Sequence, residues 1–187
     1  MKNISHQLKY LRTDWKVKHL FLGTFNPEGG KIVPYYYARE KNLFWNILSH
    51  LFQENFNPYS ADFFELLHKH GIACIDMIQS LEKIDGKEFS NQEKLEITGK
   101  GYSDSKIING KIRRNYNTKS IKEIIALNNC NVYSTWGKGS NLKDWRSEVD
   151  QIKFNAHLVS PSPVARVPKG VKKYDYIFND WREKIII

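Results

Sequence analysis

Asn26, Tyr37 and Asn42 are the residues whose types and placement first suggest chemistry, and all three fall in one stretch, residues 19–51, HLFLGTFNPEGGKIVPYYYAREKNLFWNILSHL. Carboxamides hydrogen-bond through both ends and a phenol adds a flat ring, so the set is suited to gripping a ligand. Asn26 and Pro27 are also ordinary turn residues. The three tyrosines of PYYY cannot all point inward from an extended segment, so at least one faces the loop side. A second candidate segment is SPSPVARVP, residues 160–168. Its prolines stiffen the loop, its backbone NH groups and Ser hydroxyls suit phosphate contacts, and Val164 falls at the tip. Rigid apolar tips of this kind serve as wedges that pry a base from a duplex, and the segment read alone equally suits a solvent loop with Val164 tucked under it.

These groups are useful only if secondary structure brings them together. HLFLGT reads as a buried strand ending at Gly23, and NLFWNILSHLFQ as a helix capped by Asn42 with Leu43, Ile47 and Leu51 on one face. SADFFELLHKHG reads as a second helix with a Ser cap and a terminal Gly, followed by IACIDMI as a second buried strand. TKSIKEIIALNN predicts a helix, CNVYSTWG a third strand, residues 141–150 a short helix, FNAHLVS a fourth strand and KKYDYIFNDWREKIII a closing helix. Strands alternating with helices imply an α/β single-domain three-layer sandwich over residues 1–187, with a central, mostly parallel four-stranded sheet covered on both faces. In such sheets ligands bind beyond the carboxyl ends of the strands. TFNPEGG, DMIQS, TWGKGS and SPSPVARVP each follow a strand and so fall on one rim. Between residues 79 and 119 the pattern dissolves into Gly, Asn, Ser and charged residues, a long excursion of functional length.

Composition narrows the class of partner. The 29 Lys and Arg exceed 20 Asp and Glu for a net charge of +9, and aromatic residues make up 13%, a balance that suits a polyanionic partner and equally a generally basic protein without one. Cys74 and Cys130 sit in apolar segments, as core residues of a reducing cytosol do, and two thiols cannot hold an iron-sulfur cluster. No apolar run approaches the roughly 18–20 residues that cross a bilayer, and the start of the chain lacks a signal-peptide core. A cytoplasmic protein is expected. Asp76, Asp85 and Asp104 lack partners at metal-ligand spacing, and His68 and His70 face different directions on their helix. No metal is expected.

Taken together, the segments resemble the uracil-DNA glycosylase superfamily, in particular its mismatch-specific and hypoxanthine-DNA glycosylase branches. LGTFNP is similar to the first motif, a Gly-x-Asn-Pro or Gly-x-x-Pro turn, and YYAREKNLFW to the Tyr/Phe-Ala-x-x-x-Asn-x-Phe-Trp segment that follows it. GIACIDMI is similar to a Gly-Ile-Ala-x-x-Asp-Val strand, and SPSPVAR to the terminal wedge motif. The likeness covers most of residues 19–168. It implies a monomeric, cofactor-free DNA glycosylase in which Asn26 or Asn42 positions the attacking water. It further implies that Tyr37 stacks on the extruded base, that Thr24, Phe25, Trp136 and Gly137 surround it, and that Ser160, Ser162, Val164 and Arg166 grip the DNA. Two departures are visible: GTFNP has one residue more between Gly and Asn than the mismatch-specific pattern, and Ser160 stands where the main uracil branch has His.

Two other classes fit parts of the chain. A first strand followed by GTFNP also begins nucleotidyltransferases of the adenylylating type, which need a His-x-x-His or His-x-Gly-His pair a few residues later. After His19 the next histidine here is His50, inside a predicted helix. A DNA-binding module without catalysis is the other alternative.

Overall fold

The computed structural model of the chain describes residues 2–8, 13–99, 107, 110–137 and 145–187. Its centre is a parallel sheet of four strands: β2 (His19–Gly23), β3 (Ile72–Asp76), β6 (Asn131–Ser134) and β7 (Ala156–His157), in the order β3-β2-β6-β7. All residues of β2 and β3 are buried, as continuous apolar strands covered on both faces must be. β2 and β3 pair in register from His19 opposite Ile72 to Gly23 opposite Asp76, and β2 pairs β6 from His19 opposite Asn131 to Leu22 opposite Ser134. The α/β class and the four-stranded parallel sheet match the expectation from periodicity. The fourth strand is shorter than FNAHLVS suggests, because only Ala156 and His157 keep the ladder with Tyr133 and Ser134.

Six helices occur among the described residues: α1 (Phe44–Phe52), α2 (Phe63–His70), α3 (Asn91–Thr98), α4 (Thr118–Asn128), α5 (Arg146–Val149) and α6 (Lys173–Lys184). α1 buries Phe44, Trp45, Ile47, Leu48 and Phe52, while α6 buries Ile177 and Trp181. The ring of Phe44 meets Trp181 edge-on at 5.3 Å, and Phe21 of β2 stacks on Trp181 at 6.0 Å. These rings fasten both helices to the middle of the sheet, where each buried aromatic contributes several kcal/mol, about 3–5 when truncated to Ala.

Local details differ from the sequence reading. The residue before α1 is Leu43; Asn42 stands one place earlier and accepts from the Phe44 N–H through Oδ1 at 3.0 Å. α2 starts after Asp62, not at a Ser cap, since the Ser60 hydroxyl donates to the Asn57 carbonyl instead. Gly71 does close α2, at φ 64. Of the expected helix over 141–150, residues 141–144 lie outside the described residues, as does Asp104.

The two ends of the 79–119 excursion pair with the start of the chain in a second sheet that periodicity does not reveal. β1 (Asn3–Ser5), β4 (Ile78–Lys83) and β5 (Ile112–Tyr116) form an antiparallel sheet in the order β1-β4-β5. Only Met77 separates β3 from β4; its N–H donates to Gly23 O, and Asn117 N–H donates to Met77 O. β4 buries only Ile78 and Leu81 and β5 only Ile112, so each strand carries too few apolar residues to announce itself. α3 opens with a capping box, the Ser90 hydroxyl accepting from Glu93 N–H and the Glu93 carboxylate accepting from Ser90 N–H.

His19 gives this core a pH dependence. It is buried between the Tyr133 and Phe52 rings, and burial, with help from the charges of Lys18 and His70, pulls its pKa from 6.5 to about 4. The unfolded chain therefore takes up a proton at higher pH than the folded one, so this contribution to stability is complete above 6.5 and is lost as pH falls from 6.5 toward 4. Urea unfolding at pH 7 and pH 4.5 should show a smaller drop in midpoint for His19→Leu than for the wild-type chain.

Candidate functional site

The switch point of the parallel sheet lies between β2 and β6, because the chain leaves β2 toward β3 on one side and reaches β6 and β7 on the other. A cavity of about 330 Å³ opens there, beyond the carboxyl ends of these strands. It is lined by Thr24, Phe25 and Asn26 after β2, Asp76 at the end of β3, Thr135 and Trp136 after β6, and Ser160 to Val164 after β7. The segment before α1 adds Tyr36, Tyr37, Arg39, Lys41 and Asn42. A larger cavity of about 790 Å³ lies against the second sheet and α4 and shares Tyr36 with the first. We favour the smaller one as the site, because the four strand-end segments meet there.

Tyr37 has an unusual backbone. Its φ is 58, a left-handed conformation costing a non-glycine residue about 1–2 kcal/mol. Side-chain contacts hold it: the ring lies parallel to Phe44 at 4.0 Å with 4° between planes, and the hydroxyl pairs with Thr135 Oγ1 at 3.1 Å. Burial first, and then the Asp76 carboxylate, keep the phenol well above its usual pKa, so it stays protonated. Tyr35 and Tyr36 are both buried, but Tyr36 joins Tyr37 in lining the cavity, so only Tyr35 of PYYY is absent from it.

The Asn26 amide is fixed at both ends. Gln7 Oε1 accepts from the backbone N–H of Val33 at 3.2 Å, which makes that atom the oxygen; the Asn26 group facing it at 3.1 Å is therefore the NH2. Asn26 Oδ1 then faces the Arg39 guanidinium, which donates to it at 2.8 Å. The backbone repeats the clamp, with Gln7 N–H donating to Asn26 O, Glu28 N–H to Ser5 O, and a bridge between His6 and Pro27. Asn42 uses Oδ1 at the start of α1 and lines the same cavity.

Behind the amides lies a buried dyad. Asp76 and His6 are 5% and 3% exposed, and His6 Nε2 stands 2.7 Å from Asp76 Oδ2. Gly23 makes room for it. A Cβ at Gly23 would overlap Asp76 Oδ1 outright and meet the Tyr37 hydroxyl at 2.5 Å.

The loop after β7 is rigid for reasons beyond proline. Ser160 Oγ accepts from Ser162 N–H at 3.3 Å, Ser162 Oγ from Val164 N–H at 3.4 Å, and Ala165 N–H donates to Ser162 O at 3.0 Å. The serines thus brace their own loop. Lys173 donates to Pro163 O at 2.6 Å, and Leu43 N–H donates to Pro161 O at 3.0 Å, tying the loop to α6 and to the start of α1. Val164 is 79% exposed at the tip.

Of the residues singled out from sequence, the cavity brings together Asn26, Asn42, Thr24, Phe25, Tyr37, Trp136, Ser160, Ser162 and Val164. Gly137, at φ 71, and the exposed Arg166 stand outside its lining. Sequence reasoning passed over His6, Gln7, Arg39 and Thr135 and set Asp76 aside for want of a partner at metal-ligand spacing. Asp76 carried a usable signal, since an acid closing a fully apolar strand must be paired when the strand is buried. The segment NISHQ carries no periodicity that would announce a partner. Cys74 is buried and free, Cys130 is half-buried and free, and no group of three metal-binding side chains occurs among the described residues. No described helix is long and apolar enough to cross a membrane.

Compared with models of known families and with curated proteins, the chain matches none. The site therefore has to be read from its own geometry. Gly23→Ala should overpack the junction of Asp76 and Tyr37 and lower stability by about 1–3 kcal/mol in denaturant titration.

Proposed function

We propose that this chain is a monomeric, cofactor-free DNA glycosylase of the uracil-DNA glycosylase type, which turns a deaminated or otherwise modified base out of DNA and hydrolyses its N-glycosidic bond. The observation that carries this reading is the convergence of two amides, an aromatic ring and an exposed apolar tip on one cavity of about 330 Å³. That volume lies at the small end of ligand pockets, of a size for one heterocycle rather than a nucleoside triphosphate. The adenylylating alternative gains nothing, because no histidine is among the cavity's lining residues.

In this reading Val164 enters the gap left by the everted base, and the bonds that brace Ser160, Ser162 and Pro163 keep it from folding back. The base enters beside Tyr37, whose other face is backed by Phe44. The bond from C1′ to the base nitrogen breaks, the electron pair leaves with the base, and positive charge develops on the sugar. A water adds its oxygen to C1′ and releases a proton to solvent, while the departing base anion takes one from solvent, giving an abasic site and the free base. Asn26 is the leading group to orient that water, since Gln7 and Arg39 hold its amide in one orientation and an amide oxygen has a second lone pair to offer. Asn42 is second. Neither amide takes a proton; both act by positioning. Arg39 and Lys41 in the lining, with the surplus of +9 over the whole chain, favour the phosphate backbone.

The test is excision from duplex and single-stranded oligonucleotides carrying uracil, hypoxanthine, xanthine or modified cytosines, read as alkali-labile sites. Asn26→Ala should slow release on the productive substrate by about 100-fold or more, with Asn42→Ala the smaller loss. Full activity in both variants would refute the mechanism. Salt-sensitive binding with no abasic product on any substrate would identify a binding module instead.

A further inference from the structure

Asp76 is the one carboxylate in the described lining of the cavity and is among its most buried lining residues. It is 5% exposed, whereas Val164 is 79% exposed and Lys41 is also exposed. A base everted from DNA stays tied to its sugar at the mouth, so its far edge travels deepest. Asp76 Oδ2 is taken by His6, and no group among the described residues bonds Oδ1. Oδ1 instead lies over Gly23, beside the Tyr37 hydroxyl.

The chemistry of that oxygen is one-sided. An ionised carboxylate only accepts hydrogen bonds. A carbonyl brought against Oδ1 sets lone pair against lone pair, whereas an amino group there makes a charge-assisted bond. We propose that Asp76, held by His6, determines specificity at this site and selects a modified base whose far edge carries an exocyclic amino group, of cytosine or adenine type, over one with a carbonyl there, of uracil or hypoxanthine type. The inference rests on the glycosylase reading and narrows its substrate class. His6 acts as a positioning residue.

The experiment measures eversion and excision separately. Duplexes carry a 5-modified cytosine or a uracil beside a fluorescent reporter base, whose signal rises on eversion whether or not the bond is cut. The wild-type chain should favour the amino base by about tenfold or more, because a polar group left facing the wrong partner discriminates strongly. In Asp76→Asn the amide can turn its NH2 to a carbonyl, so the preference should shift toward uracil by a similar factor, while His6→Gln, which keeps a donor on Oδ2, should hold the wild-type order. If Asp76→Asn does not fold, cytosines bearing one or two methyl groups on the exocyclic nitrogen replace the variant. The dimethyl base, stripped of donors, should lose about tenfold relative to the monomethyl base.

A wild-type preference for uracil, an unchanged ratio in Asp76→Asn, an equal loss on every base, or equal handling of the two methylated cytosines would overturn the assignment while leaving base eversion intact. Absence of both eversion and excision on every duplex would overturn the glycosylase reading and this inference together.

Discussion

A carboxylate buried at the end of a parallel strand needs a partner, because leaving such a charge unpaired in the interior costs several kcal/mol. Asp76 meets that demand with His6, a residue seventy positions away in the chain. Much of the site's geometry follows from this pairing. It draws the start of the chain across the carboxyl ends of β2 and β3, so that Ser5, His6 and Gln7 run beside the loop of residues 24–28 and bond to it. The same arm brings the Gln7 amide to Asn26. The pair thus links the second sheet, where β1 lies beside β4, to the mouth of the parallel sheet.

Gly23 is the complementary constraint. In register with Asp76, it is the one place in β2 where any side chain would collide with both the carboxylate and the Tyr37 hydroxyl. Its value here is absence of volume rather than freedom of φ. Tyr37 approaches from the segment before α1 with a strained backbone, and the parallel stack on Phe44 holds that strain in place. Phe44 in turn packs on Trp181 and Phe21, so the position of one cavity ring is set by the aromatic centre of the fold.

The loop after β7 follows a similar logic with different bonds. Its outer residues are exposed, but Pro161 accepts a bond from Leu43, Val159 is gripped by Asp180 and Trp181 of α6, and Lys173 caps Pro163. Helices α1 and α6 therefore hold both the stacking ring and the apolar tip. Two groups from distant parts of the chain share one rigid support, as a preorganised site requires.

The sequence by itself determined the elements whose signal is local and strong. The apolar runs of β2 and β3, the faces of α1 and α4, Gly71 as a helix stop and the order of alternating elements are all readable from period and turn chemistry. That order predicts a parallel sheet with loops on one rim, and Asn26, Tyr37, Asn42 and Val164 were legible as residues of those loops. Tertiary structure decided what depends on partners remote in the chain. β1, β4 and β5 are short strands with one or two buried residues each, so they exist through pairing and not through pattern. The end of α1 toward the cavity is shaped by a bond from Asn42, and the orientation of the Asn26 amide by Gln7 and Arg39. Burial made Asp76 a paired group in the lining of the cavity and turned His6 from an unremarked residue near the chain start into its counterpart. Periodicity reports which face of an element is apolar, whereas the partner of a buried charge is fixed only when the whole chain has folded around it.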